Sequence, residues 1–262
     1  EGAYRDTHEG DLFVHEGAKD EGVEFEEDGP NPHITVRAVR TNEYTETVSE
    51  KAVRDITAEL SRDLGGGYRL ARGTGTVEVH YTHFQRKEIS TGNVTRGMQS
   101  TGLGPIELDT ELMWVETPPE LQDTVLGEIA DESPASLTDG DVMEIFGGGL
   151  HGAEHGMIKL TPLELRMDKS DLGGLSTPRH AETGVPTWFV HDAVDGGLGF
   201  SRRIYEQFET IAERTRDRVA GCDCGGTGGC PACIMDSQCG NQNRFLHTTA
   251  TVSVLDRVID RL

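Results

Sequence analysis

The spacing of apolar residues divides the chain into a β-rich first part and a mostly helical second part. Three β-branched runs, partly alternating and bounded by Gly, Asn or Asp, each predict a strand: 11–15, 33–40 and 75–83. Residues 50–60 predict a short helix among them. A further strand over 106–116 is followed by Pro118 and Pro119, which start a helix that reaches about Ala130.

In the second part, apolar residues recur at helical spacing both before and after the glycine-rich turn at 196–199. An acidic turn region over 131–140 precedes a helix over 142–165, which we expect the glycines at 147–149 to interrupt. An apolar strand over 186–190 leads into a long helix that begins near Leu198 and keeps one face apolar. The closing helix has its apolar residues at i, i+3, i+4 and i+7: Leu255, Val258, Ile259 and Leu262.

Together these elements predict an α+β fold in two parts. We expect a β-rich N-terminal subdomain over residues 1–115, which links to further domains, and a mixed α/β domain over 116–262 with a cysteine loop between its last two helices. The sequence contains no run of eighteen apolar residues, and we therefore predict no membrane span. It starts at Glu1 in a charged stretch without a signal peptide, so we expect a piece of a longer cytoplasmic protein.

The charge is strongly negative, and the cations are mainly arginine. Asp and Glu number 46 against 24 Lys and Arg, which gives a net charge of −22, and only five of the cations are lysine. At molar salt the Debye length falls to about 3 Å, so that like charges on a surface hardly repel each other. The composition predicts a halophilic protein, with an ordinary acidic protein as the alternative. In a salt-loaded cell this acidity does not exclude nucleic acid as a partner.

All five cysteines lie within eighteen residues, from Cys222 to Cys239. A tight cluster in a chain without a secretory signal is typical of a metal site rather than of disulfides. Zinc prefers four thiolates at the corners of a tetrahedron, and the glycines between the cysteines allow turns tight enough to bring two pairs together. The loop therefore predicts one structural zinc, because an all-thiolate shell leaves no open position for water.

Five cysteines compete for the four ligand positions. Cys230 and Cys233 form a C-x-x-C turn that delivers two sulfurs to one side of the ion. Alternate residues of an extended chain lie on the same face, so that Cys222 and Cys224 can both bind. We favour these four, with Cys239 as the substitute if one of the first two does not bind. A redox C-x-x-C pair is the alternative, but it leaves three cysteines unexplained.

The cysteines belong to a longer pattern of residues. In and after the loop it includes Gly229, Pro231, Ile234, Gly240, Asn241, Asn243, Leu246 and Ala250, and upstream it includes Asp168, Asp171, Gly174, Phe189, Asp192, Gly196 and Gly199. This pattern resembles MZB, the zinc-binding domain of MrfA-type superfamily-2 DEAD/DEAH-box DNA helicases. The segments 12–17 and 44–45 resemble the β segment that precedes MZB in those helicases. The chain departs from the family at His247 and Thr248, where relatives often have Asp-Lys.

The resemblance implies an accessory module of an ATP-dependent helicase that serves DNA repair. Its partners would be the motor domains of the same protein and single-stranded or damaged DNA. ATP and Mg would belong only to the motor, since the 262 residues contain no Gly-Lys-Ser/Thr phosphate-binding loop, and the chain itself is expected to be non-catalytic. The alternative is a motor-less MZB subunit of an antiphage defence system, because MZB-like domains also occur there.

A glycine-rich turn and the arginines after it are candidate contacts to phosphate or DNA: Gly196, Gly197, Gly199, Arg202 and Arg203. Glycines between a strand and a helix leave backbone N–H groups free for an anion, and the helix dipole favours a phosphate there. A tight turn that requires positive φ would explain the same glycines without a ligand. Likewise, a solvated helix face would explain the basic stretch that continues at Arg214, Arg216 and Arg218.

Residues 151–155 match H-x-x-E-H, the inverted zincin motif, with histidines at 151 and 155 and glutamate at 154. A peptidase site would need a third ligand, which the sequence does not identify, and Gly152 and Gly156 weaken the helix. We expect structural histidines packed in a helix. The peptidase alternative would require a second zinc that survives loss of the cysteines.

Overall fold

A computed structural model describes residues 5–26, 30–132 and 139–262, and its strands come mostly before its helices. The strands are β1 (Leu12–His15), β2 (Ala18–Glu26), β3 (His33–Ala38), β4 (Glu43–Gly65), β5 (Tyr68–Glu88), β6 (Val94–Ser100), β7 (Ile106–Glu116), β8 (Leu172–Thr177) and β9 (Thr187–Asp192). The helices are α1 (Leu121–Glu132), α2 (Asp139–Leu165), α3 (Phe200–Glu206), α4 (Phe208–Ala220) and α5 (Thr248–Ile259). The predicted α+β class is confirmed. Of the acidic turn predicted over 131–140, residues 133–138 fall outside the described residues, and the described residues at its two ends are helical, contrary to the prediction.

The chain divides into two compact units that are each discontinuous in sequence. The first unit comprises residues 1–51 and 78–107, and the second comprises 52–77 and 108–262. Strands β4 and β5 contribute residues to both units. The domain boundary expected near residue 115 stays a prediction.

In the first unit, β1, β2 and β3 form an antiparallel sheet in that order. A buried ion pair lies in this unit, where Arg86 donates to the carboxylate of Glu21 and, at 2.6 Å, to the carbonyl of Gly10. Hydrogen bonds from Arg86 and Arg37 hold the pKa of Glu21 below its usual value. The Arg86 guanidinium is thereby paired, as a buried charge must be.

In the second unit, the order of strands is β4, β5, β7, β9 and β8. Strand β9 is antiparallel to both of its neighbours, and all six of its residues are buried. A continuous core joins this sheet to the helices, with large side chains from both: Met113, Trp188, Val190, Phe146, Leu150, Met157, Ile204, Phe208, Ile211, Val254, Leu255 and Val258. Helix α2 contacts β8, β9, α4 and α5, and it therefore runs through the middle of this unit.

The helix predicted over residues 50–60 is wrong, because the segment belongs to β4. The strand neighbours β5, and the turn between them consists of Gly66 and Gly67, which have positive φ angles, as does Gly65 at the end of β4. Of residues 50–60 only Val53 is buried in this strand. Cross-strand pairing overrides the local preference here.

The glycines at 147–149 do not interrupt α2, contrary to the prediction. A β-carbon at Gly148 would overlap the backbone carbonyl of Phe245, and one at Gly149 would lie 2.9 Å from the β-carbon of Ala250. The missing side chains therefore let α2 approach the segment that enters α5. These glycines act in packing between helices and not as a break.

The long helix predicted from about Leu198 is two helices that meet at Gln207, whose φ of −111° and ψ of 19° are not helical. Its N–H still donates to the carbonyl of Arg203 at 3.1 Å. Ile204 and Phe208 are both buried on the same core, and so the predicted apolar face continues across the break. The other predicted strands and helices are confirmed. No helix in the described part of the chain is long and apolar enough to cross a membrane.

Candidate metal centre

The cysteine loop connects the end of α4 at Ala220 with the start of α5 at Thr248. Beneath it, Cys233 and Ile234 pack with Val219 and Leu246 in a small buried cluster. Gly229 has a φ of 74°, and a β-carbon there would lie 2.5 Å from Ile234 Cγ1 and 3.0 Å from Cys233 Sγ. Glycine is therefore required directly before Cys230, where the chain turns beneath the sulfurs.

Four sulfur atoms converge at the surface of this cluster: those of Cys222, Cys224, Cys230 and Cys233. The Cys222–Cys230 and Cys230–Cys233 distances between Sγ atoms are both 3.7 Å, and the Cys224–Cys233 distance is 4.0 Å. A tetrahedral zinc with Zn–S bonds of about 2.3 Å places its sulfurs about 3.8 Å apart. The donor set thus fits a zinc ion in chemistry and in dimensions.

The C-x-x-C turn also prepares its sulfurs for negative charge. The N–H of Ala232 donates to Cys230 Sγ at 3.3 Å, and the N–H of Cys230 donates to Cys233 Sγ at 3.0 Å. The backbone hydrogen bond from Ala232 lowers the pKa of the Cys230 thiol to about 7. Hydrogen bonds that favour the thiolate are what a metal-binding sulfur requires.

Two lysines that were not predicted from the sequence hold the loop against the rest of the unit. Lys159 on α2 donates to the carbonyls of Pro231 and Met235, at 2.5 Å and 2.6 Å. Lys169 pairs with Asp236, which is buried. Two of only five lysines therefore lie at this loop, and the rarity of lysine in the chain was the one available signal.

Cys239 lies apart from the four sulfurs and next to α2. Its Sγ is 3.5 Å from Nε2 of His151, and it accepts a hydrogen bond from the N–H of Asn243 at 3.3 Å. His155 follows one helical turn after His151, and the two ring centroids are 4.1 Å apart. The structure therefore places Cys239 with two histidines, whereas the sequence predicted it as a substitute ligand for Cys222 or Cys224.

His155 is buried and His151 is partly buried, and both are neutral at ordinary pH. Burial is the main cause that lowers the pKa of His151 to about 3 and that of His155 to about 4. Nδ1 of His155 lies 2.9 Å from the carbonyl of Ile234, where an N–H can donate. The prediction of histidines packed within a helix agrees with this burial, and Ile234 joins α2 to the cysteine loop.

Five backbone donors in and directly after the glycine-rich turn before α3 are engaged within the protein. Gly196 and Gly197 donate to the carbonyls of Asp109 and Val194. The carboxylate of Asp192 accepts from three further N–H groups, those of Leu198, Phe200 and Ser201, at 2.5 to 3.1 Å. Asp192 thus takes the position at the helix N-terminus where a phosphate was expected, and the proposed anion contact would have to displace it.

Most arginines of the basic stretch also have partners within the protein. Arg203 donates to the carbonyl of Leu165, Arg214 pairs with Glu164, and Arg218 donates to the carbonyl of Ala232. Arg216 lies 3.1 Å from Asp217. Arg202 is exposed and has no such partner among the described residues. As a contact to DNA, Arg202 stays a prediction, and it is the one most accessible to a ligand.

The fold and the four convergent sulfurs define a metal-binding α/β domain of the zinc type. In agreement, residues 153–234 match the model of the MrfA Zn-binding domain family. This segment contains the four clustered cysteines and ends before Cys239. Residues 153–234 are thus similar to the MrfA Zn-binding domain, and, as the following likenesses show, the chain shares the fold of part of the helicase MrfA.

The proteins similar to the chain include two relatives and two solved structures. An uncharacterized protein of Methanocaldococcus jannaschii is 29% identical over 113 residues, which are 42% of this chain and 99% of that protein. The uncharacterized ATP-dependent helicase YprA of Bacillus subtilis is 27% identical over 236 residues, 87% of this chain and 27% of the helicase. The DUF1998 helicase MrfA bound to DNA superposes with a TM-score of 0.61 at 22% identity, over 98% of this chain and 31% of the other. With DNA and AMPPNP bound, MrfA gives a TM-score of 0.55 at 20% identity, over 97% and 28%.

Proposed function

We propose that this chain is the zinc-binding accessory module of an ATP-dependent DNA helicase that acts in DNA repair. The observation that carries the proposal is the match along 87% of the chain to a protein described as an ATP-dependent helicase, of which the chain spans only 27%. A module that accompanies a motor needs no phosphate-binding loop of its own, and none occurs in these 262 residues. ATP and Mg would then act only in the motor domains.

Within this module the zinc has a structural task. Cys222, Cys224, Cys230 and Cys233 would hold the ion, and four thiolates leave no position at which water or substrate could react. The loop itself has few apolar residues, so its order depends on coordination together with the lysine contacts. The closing helix α5 starts directly after the loop and packs against α2 and α4. The ion would therefore fix how the last helix joins the domain.

The partners of the module follow from the same proposal. DNA, single-stranded or damaged, is the substrate class, because solved structures of similar fold are those of a helicase bound to DNA. The motor domains of the same protein are the second partner. A net charge of −22 does not favour phosphate contacts in dilute buffer, and we propose that such contacts form at high salt, where the surface charge is screened.

The test uses the full gene product that contains these residues, with unwinding of a forked duplex as the assay. In a variant with Cys230→Ser and Cys233→Ser, we expect loss of one equivalent of zinc and a strong fall in unwinding. Ser237→Ala is the matched loop control, since Ser237 is exposed and not a ligand, and it should keep both zinc and activity. Unwinding at the normal rate by the double serine variant would exclude a role for the zinc.

A second measurement tests the assignment of the motor to other domains. The 262-residue chain alone should hydrolyse no ATP, with or without single-stranded DNA. ATP turnover that is stimulated by DNA and follows this chain through several columns would contradict the proposal.

A further inference from the structure

A second set of metal-binding side chains lies apart from the four sulfurs and shares no residue with them. His151, His155 and Cys239 have donor atoms that all lie within 4.8 Å of one another. The histidines are four residues apart on α2, so that both rings project from the same helix face. Cys239 reaches them from the cysteine loop, 88 residues beyond His151. The zinc ion proposed at the four clustered cysteines needs none of these three residues as a ligand.

The dimensions of this set fit a tetrahedral ion. A zinc bonded to one imidazole nitrogen at about 2.0 Å and one sulfur at about 2.3 Å holds these atoms about 3.6 Å apart. The distance between Nε2 of His151 and Sγ of Cys239 is 3.5 Å. An S–H···N hydrogen bond has a similar length, and the distance alone therefore does not identify the ligand.

The surroundings of the rings favour a metal over a simple hydrogen bond. Nδ1 of His155 lies 2.9 Å from the carbonyl of Ile234, which leaves Nε2 as its remaining nitrogen. The His151 ring has a backbone hydrogen bond to Arg244 in addition to its contact with Cys239. A carbonyl partner on the second nitrogen is the arrangement that orients histidine ligands in metal sites. The N–H of Asn243 points at Cys239 Sγ at 3.3 Å and would support a thiolate.

We propose that His151, His155 and Cys239 bind a second zinc ion, separate from the thiolate site, with a fourth position open to water or to an external ligand. The two imidazoles bind as neutral bases. Cys239 binds as the thiolate, and its proton passes to solvent when the Zn–S bond forms. Neutral imidazole and a single thiolate suit zinc, a borderline metal.

This site differs from a peptidase centre built on the same histidines. Glu154, the residue that would act as a base, is buried and lies against β8, where a β-carbon at Gly174 would come within 2.5 Å of its carboxylate. Gly174 thus provides the space that Glu154 occupies. A carboxylate packed in this way is not placed to activate water at an open coordination position.

The test is the zinc content of the purified 262-residue chain after dialysis against metal-free buffer at high salt. The wild-type chain should retain two equivalents. A variant with His151→Asn and Cys239→Ser should retain one, and its Co²⁺-substituted form should keep the charge-transfer spectrum of a four-sulfur site. His180→Gln is the matched control, because His180 is also buried but contacts the carbonyl of Val53, and it should retain two equivalents.

The four-sulfur spectrum distinguishes loss of the second site from misfolding of the loop. If the double variant loses that spectrum, His155→Gln provides an independent variant that leaves the loop sequence unchanged, and it too should lose one equivalent. Wild-type protein that retains a single equivalent, removed by Cys230→Ser with Cys233→Ser, would overturn the proposal. So would a wild type with two equivalents from which neither histidine variant removes any.

Discussion

Replacing Gly148 with alanine tests whether the glycines of α2 serve packing between helices. In the interior of a helix, alanine is normally more favourable than glycine by about 1 kcal/mol. At Gly148, however, the new β-carbon would overlap the carbonyl oxygen of Phe245 and would lie 2.8 Å from its carbonyl carbon. These are backbone atoms, which cannot move aside by a change of rotamer. Helix α2 and residues 245–247 would have to separate.

The expected magnitude follows from these two opposing effects. Overpacking a well-packed interior costs about 1–3 kcal/mol, and an obstacle made of backbone places Gly148→Ala near the upper end. After subtraction of the helix-propensity gain of about 1 kcal/mol, we expect the free energy of unfolding to fall by about 2 kcal/mol. Gly127 on α1 is the matched control, since no described atom lies within 4 Å of its β-carbon position. Gly127→Ala should raise the free energy of unfolding by up to about 1 kcal/mol.

Urea denaturation followed by circular dichroism at high salt measures both variants under the same conditions. Faster amide hydrogen exchange at residues 245–250 in the Gly148 variant would show in addition that the contact with α2 is weakened there. If Gly148→Ala is as stable as the wild type, or is stabilised like the control, the close contact between α2 and the entry to α5 is not a feature of the folded protein.

Three further predictions concern the loop and the surface. A chelator at high salt should speed hydrogen exchange across α5 (Thr248–Ile259), and unchanged protection there would show that the metal is not structural. Lys159→Met removes two hydrogen bonds to loop carbonyls and should lower the free energy of unfolding by about 1–3 kcal/mol, whereas Lys51→Met should change it little. Raising the salt from dilute to molar should increase the stability of a chain with a net charge of −22, and a chain that is most stable in dilute buffer is not halophilic.

The cluster of four cysteines could be predicted because its members lie close together in the sequence. Four cysteines lie within twelve residues, and turns at glycine bring such neighbours together whatever the rest of the fold does. The association of Cys239 with His151 could not be predicted in this way. It depends on where α2 passes under the loop, which is settled by packing across 88 residues of sequence. The histidine spacing was visible, but the sequence did not identify the third ligand.

Two of the errors in secondary structure share one cause. Residues 50–60 have helix-forming composition, but they form a strand, because β4 continues through them beside β5. The glycines at 147–149 would weaken an isolated helix, but within the unit they allow close approach to α5. In both cases a contact with a distant segment outweighs the local preference. The spacing of apolar residues along one sequence does not reveal contacts with distant segments.

Helix α2 contacts the cysteine loop through interactions that do not depend on a zinc ion bound by the four cysteines. Gly152 lets Ile234 and Thr251 come close, Lys159 binds two loop carbonyls, and His155 contacts the carbonyl of Ile234. Because these contacts would survive loss of the thiolate zinc, that loss should free the sulfur-bearing turns and the entry to α5 before it affects the sheet. Loss of this zinc should therefore loosen the sulfur-bearing turns and the entry to α5 without general unfolding, because Val254, Leu255 and Val258 keep α5 in the core.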